Sequence, residues 1–473
     1  MKLFKDKNSM IIAIVIVAVL LISLGFLLFK CAKNNTTSFN VIDYGAVGNG
    51  QADDAKAIQS TIDACNNNGG GQVIFPAGKT FMSSPVELKS NCDIHLEENS
   101  KWLANPDTTI YNISAFKENR SEGTKWLWAK DCENLTLSGN GTIDGNCFVF
   151  EGAELEDSYE LKVPDDRELD PRPHVLTLEN VTNLQIKDIS LQGAAYWTVH
   201  VLGCYNVDVS NIDINNDVKV RNCDGIDIDH SKKVRISDCF IESGDDCICF
   251  KNRREYAEYG TCEDIVVNNC IMTSRSCAVK LGSENMDKIN DVLINNCVIK
   301  ASNRGIGIQN RDEGSVTNVR FSNINLDCHS FSEVWWGKGE PIYVTSYPRA
   351  PIANVDGSWR FPKGETHGTC GEVRDIYFNN INAISENGCF IGGDTPDKVS
   401  NIYFTDVNIK FNRATNYPLG VYDTRPRDGE DLIKSKTYGV YCDKGSNIVF
   451  KDFDVKLESN YPKEVYGGLK YGC

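Results

Sequence analysis

Asp224, Asp245 and Asp246 have the residue type and the spacing for acid–base chemistry. Asp224 stands in Asn222-Cys223-Asp224-Gly225-Ile226-Asp227, and the other two in Gly244-Asp245-Asp246-Cys247-Ile248. Carboxyl groups held close together can divide the work, one donating a proton while another accepts one. Like charges in contact also raise the proton affinity of at least one member, which suits an acid that must stay protonated near neutral pH. Side chains that only cap turns are the competing reading, and Asp229 and Asp238 fit that role.

The elements that must position these residues are short strands. Hexamers of one pattern (apolar, any, apolar, polar, Asn or Asp, apolar) begin at Leu184, Val207, Val234, Ile265, Val292, Val319, Ile376, Ile402 and Ile448. Their spacings are 23, 27, 31, 27 and 27 residues, then 57, 26 and 46. β-branched residues alternate at period two within each unit, and Gly and Asn lie between units. Short strands that cannot close a core singly, recurring at this period, predict an all-β solenoid of stacked parallel strands. The two long spacings are expected to be coils with insertions, the larger running from Ser330 to Glu372.

The repeat also assigns columns. Its fifth position is Asp188, Asn211, Asp238, Asn269, Asn296, Asn323, Asn380, Asp406 and Asp452, a polar ladder expected to bond backbone at one corner of the coil. Its sixth position alternates Ile, Val and Phe with Cys239, Cys270 and Cys297, which predicts buried thiols. Aligning Gly225-Ile226, Cys247-Ile248, Ala278-Val279 and Gly305-Ile306 puts Asp224, Asp246, Cys277 and Arg304 in one row. Neighbouring rungs are about 4.8 Å apart, so Asp224 and Asp246 are expected to touch.

The N-terminal region reads differently. A charge-free run from Met10 to Phe29 follows a basic start, and twenty apolar residues in a helix span about 30 Å. The expected organisation is a cytoplasmic tail over 1–9, one transmembrane signal-anchor helix over 10–29, a linker over 30–38 and a solenoid body over 39–473 outside the cytoplasm. Secretion after signal cleavage is the alternative. Ala52 to Cys65 has helical spacing at Ala57, Ile58, Ile62 and Cys65, with Asp53 and Asp54 at its start and Gly69-Gly70-Gly71 after it. This helix is expected to cap the solenoid's open end. A net charge of −16 argues against a nucleic-acid partner. No Cys-x-x-Cys pair is present, and the Gly69-Gly70-Gly71 run follows its helix instead of leading into one, so no metal or cofactor is expected. Few of the 19 cysteines are expected in disulfides.

With these residues in view, the chain resembles a known family. The segment from Phe39 to Phe81 is similar to the first coil of pectin-lyase-like right-handed β-helix proteins. Asn222-Cys223-Asp224 and Gly244-Asp245-Asp246 resemble two motifs of glycoside hydrolase family 28, the polygalacturonases, and Tyr196-Trp197-Thr198-Val199-His200 resembles a segment one coil earlier. The resemblance implies hydrolysis of O-glycosidic bonds in a pectin-like, galacturonate-containing polysaccharide or oligosaccharide. It implies Asp245 as general acid, Asp224 and Asp246 as holders of the attacking water, and inversion at the anomeric centre. Inverting carboxyl pairs usually lie about 6.5–9.5 Å apart, wider than one rung; the offset of Asp245 is expected to supply that separation. Two further family motifs depart. The family's histidine falls on Cys277, and its arginine and lysine on Gly307 and Gln309. Lys280, which stacks under Gly307, and Arg304 and Arg311 are the expected replacements for the substrate carboxylate.

His200 is expected either to touch substrate or to be a structural histidine. Trp335 and Trp336, which open the long insertion with Tyr343, Tyr347 and Arg349 beyond them, are expected sugar platforms. An insertion closing one end of the cleft would favour attack from a chain end. Two other classes stay open: a β-helix polysaccharide lyase using Lys251 or Lys280 as base with calcium, and an inactive membrane-tethered carbohydrate-binding solenoid.

Overall fold

The computed structural model describes residues 37–117, 122–155, 161, 170–350 and 368–472. The run expected to cross a membrane, 10–29, lies outside them. Among the described residues no helix is long and apolar enough to cross a membrane.

The nine hexamers stack in the register their pattern predicts. Leu184 pairs with Val207, Val207 with Val234, Val234 with Ile265 and Ile265 with Val292. The column continues through Val319, Ile376, Ile402 and Ile448. Period two decides which side chains enter the core: in Lys232–Ser237, Val234 and Ile236 are buried and Arg235 is exposed. Each fully buried side chain of this size contributes about 1.5–3 kcal/mol. A second inward column is aromatic, with Phe321, Phe378, Phe404 and Phe450 stacked at centroid spacings of 5.2, 5.1 and 5.1 Å. The pairings that stack one rung on the next are parallel, and the described chain is an all-β solenoid.

The fifth-position ladder marks a corner, as expected, but by another means. From Asp188 to Asp452 all nine residues have positive φ, between 52° and 60°. Asn and Asp tolerate this left-handed conformation where other side chains do not. Their side chains bond mainly to one another: Asn211 Nδ2 donates to Asp188 Oδ1 at 2.9 Å and Asn380 Nδ2 to Asn323 Oδ1 at 2.8 Å. Cys239, Cys270 and Cys297 are buried beside this corner.

The capping helix α1, Ala55–Asn67, starts three residues later than expected, because Asn49–Asp53 is a strand. Ile58, Ile62 and Cys65 face the core. Asp54 flanks the helix without capping it; its carboxylate instead accepts from the Val47 and Gly48 amides at 2.7 and 3.0 Å.

Another face of the coil carries the candidate chemistry. Its rungs are β1 (Val199–Leu202), β2 (Ile226–Asp229), β3 (Ile248–Asn252), β4 (Cys277–Asn285), β5 (Arg304–Asn310), β6 (Ile342–Ser346) and β7 (Cys389–Gly393). β6 corrects the reading of Ser330–Glu372 as one loop: Gly307 pairs with Tyr343, so the insertion contains a rung. Beyond β7 a hairpin of Val421–Asp423 and Leu432–Lys434 forms a separate antiparallel pair.

Candidate active site

Asp224 precedes β2, and Asp245 and Asp246 precede β3. The row expected from the glycine-led alignment is present. Ile226 pairs with Ile248, Ile248 with Val279, and Cys277 with Arg304. The backbone is tied at the aspartates themselves, with Gly225 N donating to Asp246 O at 2.8 Å. Both glycines of the motifs are required by close approach. A Cβ at Gly225 would lie 2.4 Å from Cys247 O, and one at Gly244 would lie 2.3 Å from Val220 O.

One oxygen from each of the three carboxylates lies within 4.8 Å of the others. Asp246 is held from the next rung: its Oδ1 accepts from Ser276 Oγ at 3.0 Å and its Oδ2 from Lys280 Nζ at 2.7 Å. Asp245 has its amide bonded to Ser243 Oγ at 3.1 Å and its carbonyl to Ser274 Oγ at 2.6 Å. It is the most exposed of the three, at 9%, against 3% for Asp224 and 1% for Asp246. This is the described cluster with the donor spacing of a cation site, and the Lys280 ammonium already supplies positive charge there.

Burial raises Asp224 well above the ordinary carboxylate range; Asp227, Asp245 and Asp246 push the same way, and Lys251 opposes them. Burial also raises Asp227, against Lys251. Both Asp227 oxygens are buried without a hydrogen bond, and Lys251 Nζ stands 3.5 Å from Oδ1. For Lys280, burial alone would lower the pKa; Asp246 outweighs it, and the ammonium is held above the usual lysine value.

The three aspartates and Lys280 line a cleft of about 440 Å³. Tyr196, Trp197, Trp335, Trp336 and Pro426 also line it. Arg221, Lys251, Arg253 and Arg349 bring positive charge to the lining, and Glu122 and Glu284 bring negative charge. Several of these are paired. Lys251 stands 3.6 Å from Glu284, Arg253 2.6 Å from Glu122, and Arg349 is bidentate to Asp312 at 2.9 and 3.0 Å. Lys251 also lies 4.9 Å from the Trp197 ring centroid. Burial would raise Glu284, but Lys251, Arg349 and Arg253 bring it below the usual range.

Lys280, Trp335 and Trp336 therefore lie where a substrate contact would be expected. Three other candidates do not. His200 is fully buried, its Nε2 3.4 Å from Asp229 Oδ2 and its ring packed on Trp197 and Phe116. Burial lowers its pKa, with Asp229 opposing. Asp229 is thus a buried partner and not a turn cap.

Arg304 stacks on Tyr343, 3.7 Å from the ring centroid, and pairs with Glu340 at 3.2 Å. Arg311 is fully buried, bonded to Thr345 Oγ1 and the Asn310 carbonyl. Tyr343 and Tyr347 are buried as well, Tyr347 on Asp443 at 2.9 Å. Instead of reaching the cleft, Arg304 donates to Asp423 O, Gln309 to Arg425 O and Arg311 to Thr424 O. These three hold a strap, Asp423–Pro426, whose last residue lines the cleft, as Trp335 and Trp336 do. Cys277 is a packed thiol with Sγ 3.1 Å from Val279 O.

Asp227, Arg253, Glu284, Glu122 and Arg221 were not singled out by sequence. Lys251 and Arg253 follow Cys249 at period two, a signal that could have placed them on the cleft face.

A sequence model described as "Glycosyl hydrolases family 28" matches residues 65–333. A probable polygalacturonase of Vitis vinifera is 26% identical over 294 residues, 58% of this chain and 57% of that protein. An exopolygalacturonase of Cochliobolus carbonum is 31% identical over 213 residues, 44% of each. The chain spans about half the length of the curated relatives it matches. Among solved structures, an exopolygalacturonase from Thermotoga maritima superposes with a TM-score of 0.64 at 18% identity, over 89% of this chain and 92% of that one. A family 28 exopolygalacturonase of Yersinia enterocolitica gives 0.66 at 18% identity, over 90% and 79%. At these identities the superpositions establish the shared fold.

Proposed function

The chain belongs to glycosyl hydrolases family 28, and from that membership we propose that it hydrolyses O-glycosidic bonds in a pectin-like, galacturonate-containing saccharide. The observation that carries the reading is the cluster of three carboxylates within 4.8 Å of one another, on a cleft large enough for sugar rings. Asp245, the most exposed, donates its proton to the leaving oxygen. Asp224 and Asp246 hold the water whose oxygen attacks the anomeric carbon, and its proton passes to Asp246. The closest carboxylate oxygens are nearer than in a usual inverting pair. That distance rule describes two carboxyls, however, and here three share one site. Inversion is the proposed outcome because the water lies with Asp224 and Asp246 while the acid approaches from Asp245.

We further propose attack from a chain end. Trp335, Trp336 and Pro426 line the cleft, and the strap that ends at Pro426 is fixed by three buried side chains. The proposed setting is outside the cytoplasm, on the strength of the apolar run Met10–Phe29 in the sequence.

The test is a product assay on pectic oligosaccharides, run beside Asp245→Asn. Monosaccharide product that falls about 10²–10⁴-fold in the variant, with binding kept, is the expected result. A product absorbing in the ultraviolet would indicate a lyase, and binding without turnover in the wild type a binding solenoid.

A further inference from the structure

We propose that Lys280 is a positioning residue, whose ammonium holds Asp246 as the ionised, water-activating carboxylate. The assignment rests on the hydrolase reading above and goes beyond it, because Lys280 was expected to bind the sugar. Its Nζ is 2.7 Å from Asp246 Oδ2, and both side chains are largely removed from water, at 11% and 1% exposure. A charge-assisted bond of this length in a buried site fixes both the orientation and the charge of the carboxylate.

Among the described residues, the other groups around Asp246 do not supply this charge. From the preceding rung it meets Asp224 and Asp227, both of like charge when ionised. On its own rung stand Asp245, the thiols Cys247 and Cys249, and Lys251. Lys251 is engaged between Asp227 and Glu284. From the following rung come Ser276, a neutral donor, and Cys277, whose Sγ lies against the carbonyls of Val279 and Gly305 at 3.1 and 3.8 Å. Burial raises all three thiols, so they stay neutral. Arg304, one rung further, is paired with Glu340. Lys280 is thus the cation that balances Asp246. With Asp246 balanced, burial and the neighbouring carboxylates still raise Asp224.

The experiment is Lys280→Met, with kcat and KM measured across pH on a pectic oligosaccharide, and with thermal unfolding at pH 7 and at pH 4. A positioning role predicts that kcat falls by roughly 10²-fold, the lower end of what a positioned base contributes, while KM changes less than about twofold. The acid limb of kcat moves toward neutral pH, because protonation of the base is no longer opposed by a neighbouring cation. The variant is less stable than wild type at pH 7, and the deficit shrinks at pH 4, where protonating Asp246 relieves the unpaired charge. Lys280→Arg keeps the charge and is expected to keep the wild-type limb. A raised KM with an unmoved acid limb, or a stability deficit equal at both pH values, would overturn the proposal in favour of a plain sugar contact. The two readings can fail separately. Wild-type protein without turnover refutes the hydrolase, while the pH-dependent stability loss still decides whether Lys280 holds Asp246.

Discussion

Arg304→Met tests whether this arginine anchors the strap instead of binding sugar. Its guanidinium lies 3.2 Å from Glu340, which is fully buried. At an effective dielectric of about 20 that pair is worth about 5 kcal/mol, in line with the roughly 3–5 kcal/mol that breaking a buried pair costs. Glu340 then keeps the Lys338 amide at 2.6 Å and the more distant charge of the Lys338 ammonium, which puts the loss at the lower end of that range. The substitution also removes the stacking on Tyr343 and the donor to Asp423 O. A chain of this length is outside the range where two-state unfolding is safe, so the assay is hydrogen exchange in the strap and in the segment that follows it. The reporters are the amides of Thr424, bonded to Asp431 O, Asp428, bonded to Pro348 O, and Ser435, bonded to Gly420 O. A local loss of about 3 kcal/mol speeds their exchange roughly 150-fold. Adding Glu340→Gln removes the orphaned charge and should recover at least half of that loss. Unchanged exchange in Arg304→Met, or no recovery in the double variant, would refute the anchoring role. A rise in KM alone would return Arg304 to the substrate.

Two further outcomes follow from burial and backbone geometry. Asn269 sits at the ladder corner with φ +59° and bonds Asp238, so Asn269→Ala should cost about 1–2 kcal/mol and Asn269→Gly less, measured as melting temperatures. An alanine variant as stable as the glycine variant would contradict the corner assignment. Asp227 has its proton affinity raised by burial, against Lys251. Its contribution to stability is therefore present below the unfolded carboxylate value of about 3.9 and is lost as pH rises through the folded value. Asp227→Asn removes that loss, so relative to wild type it should gain melting temperature between pH 4 and pH 7; a gain independent of pH would count against the buried titration.

Columns were legible in the sequence because a parallel solenoid repeats its environment at every rung. Val234 and Ile236 point inward for the same reason as Ile265 and Val267, and one alignment of glycines was enough to stack Asp224 on Asp246 and Lys280 under Gly307. The uses of the side chains on the outer face were not legible, since they depend on segments distant in sequence. Period two puts His200 on that face beside Asp227, yet Phe116, from far upstream, covers it. Arg304 and Arg311 look like free cations until the strap at Asp423–Pro426 arrives from more than a hundred residues downstream, from a stretch outside the repeat. The helix start was misplaced for a local reason. Asp53 serves the Ser84 amide as well as that of Ala55, a tertiary contact that holds Asn49–Asp53 extended.

The same stacking that makes the fold repetitive makes like charges expensive, since equivalent side chains of neighbouring rungs are about 4.8 Å apart. Elsewhere on this face the chain avoids the problem. Asp227 is followed by Cys249 and then Lys280, and Asp229 by Lys251. Asp224 over Asp246 is the departure, with Asp245 adding a third carboxylate. Ser276 and Lys280 bond one of the three directly, and the proton affinity of Asp224 rises. A local rule broken at one place, with three carboxylates gathered on adjacent rungs, is what a site for acid–base chemistry would require, in keeping with the proposed function. The raised proton affinity that results at Asp224 is the property that the proposed hydrolysis asks of this cluster before substrate arrives.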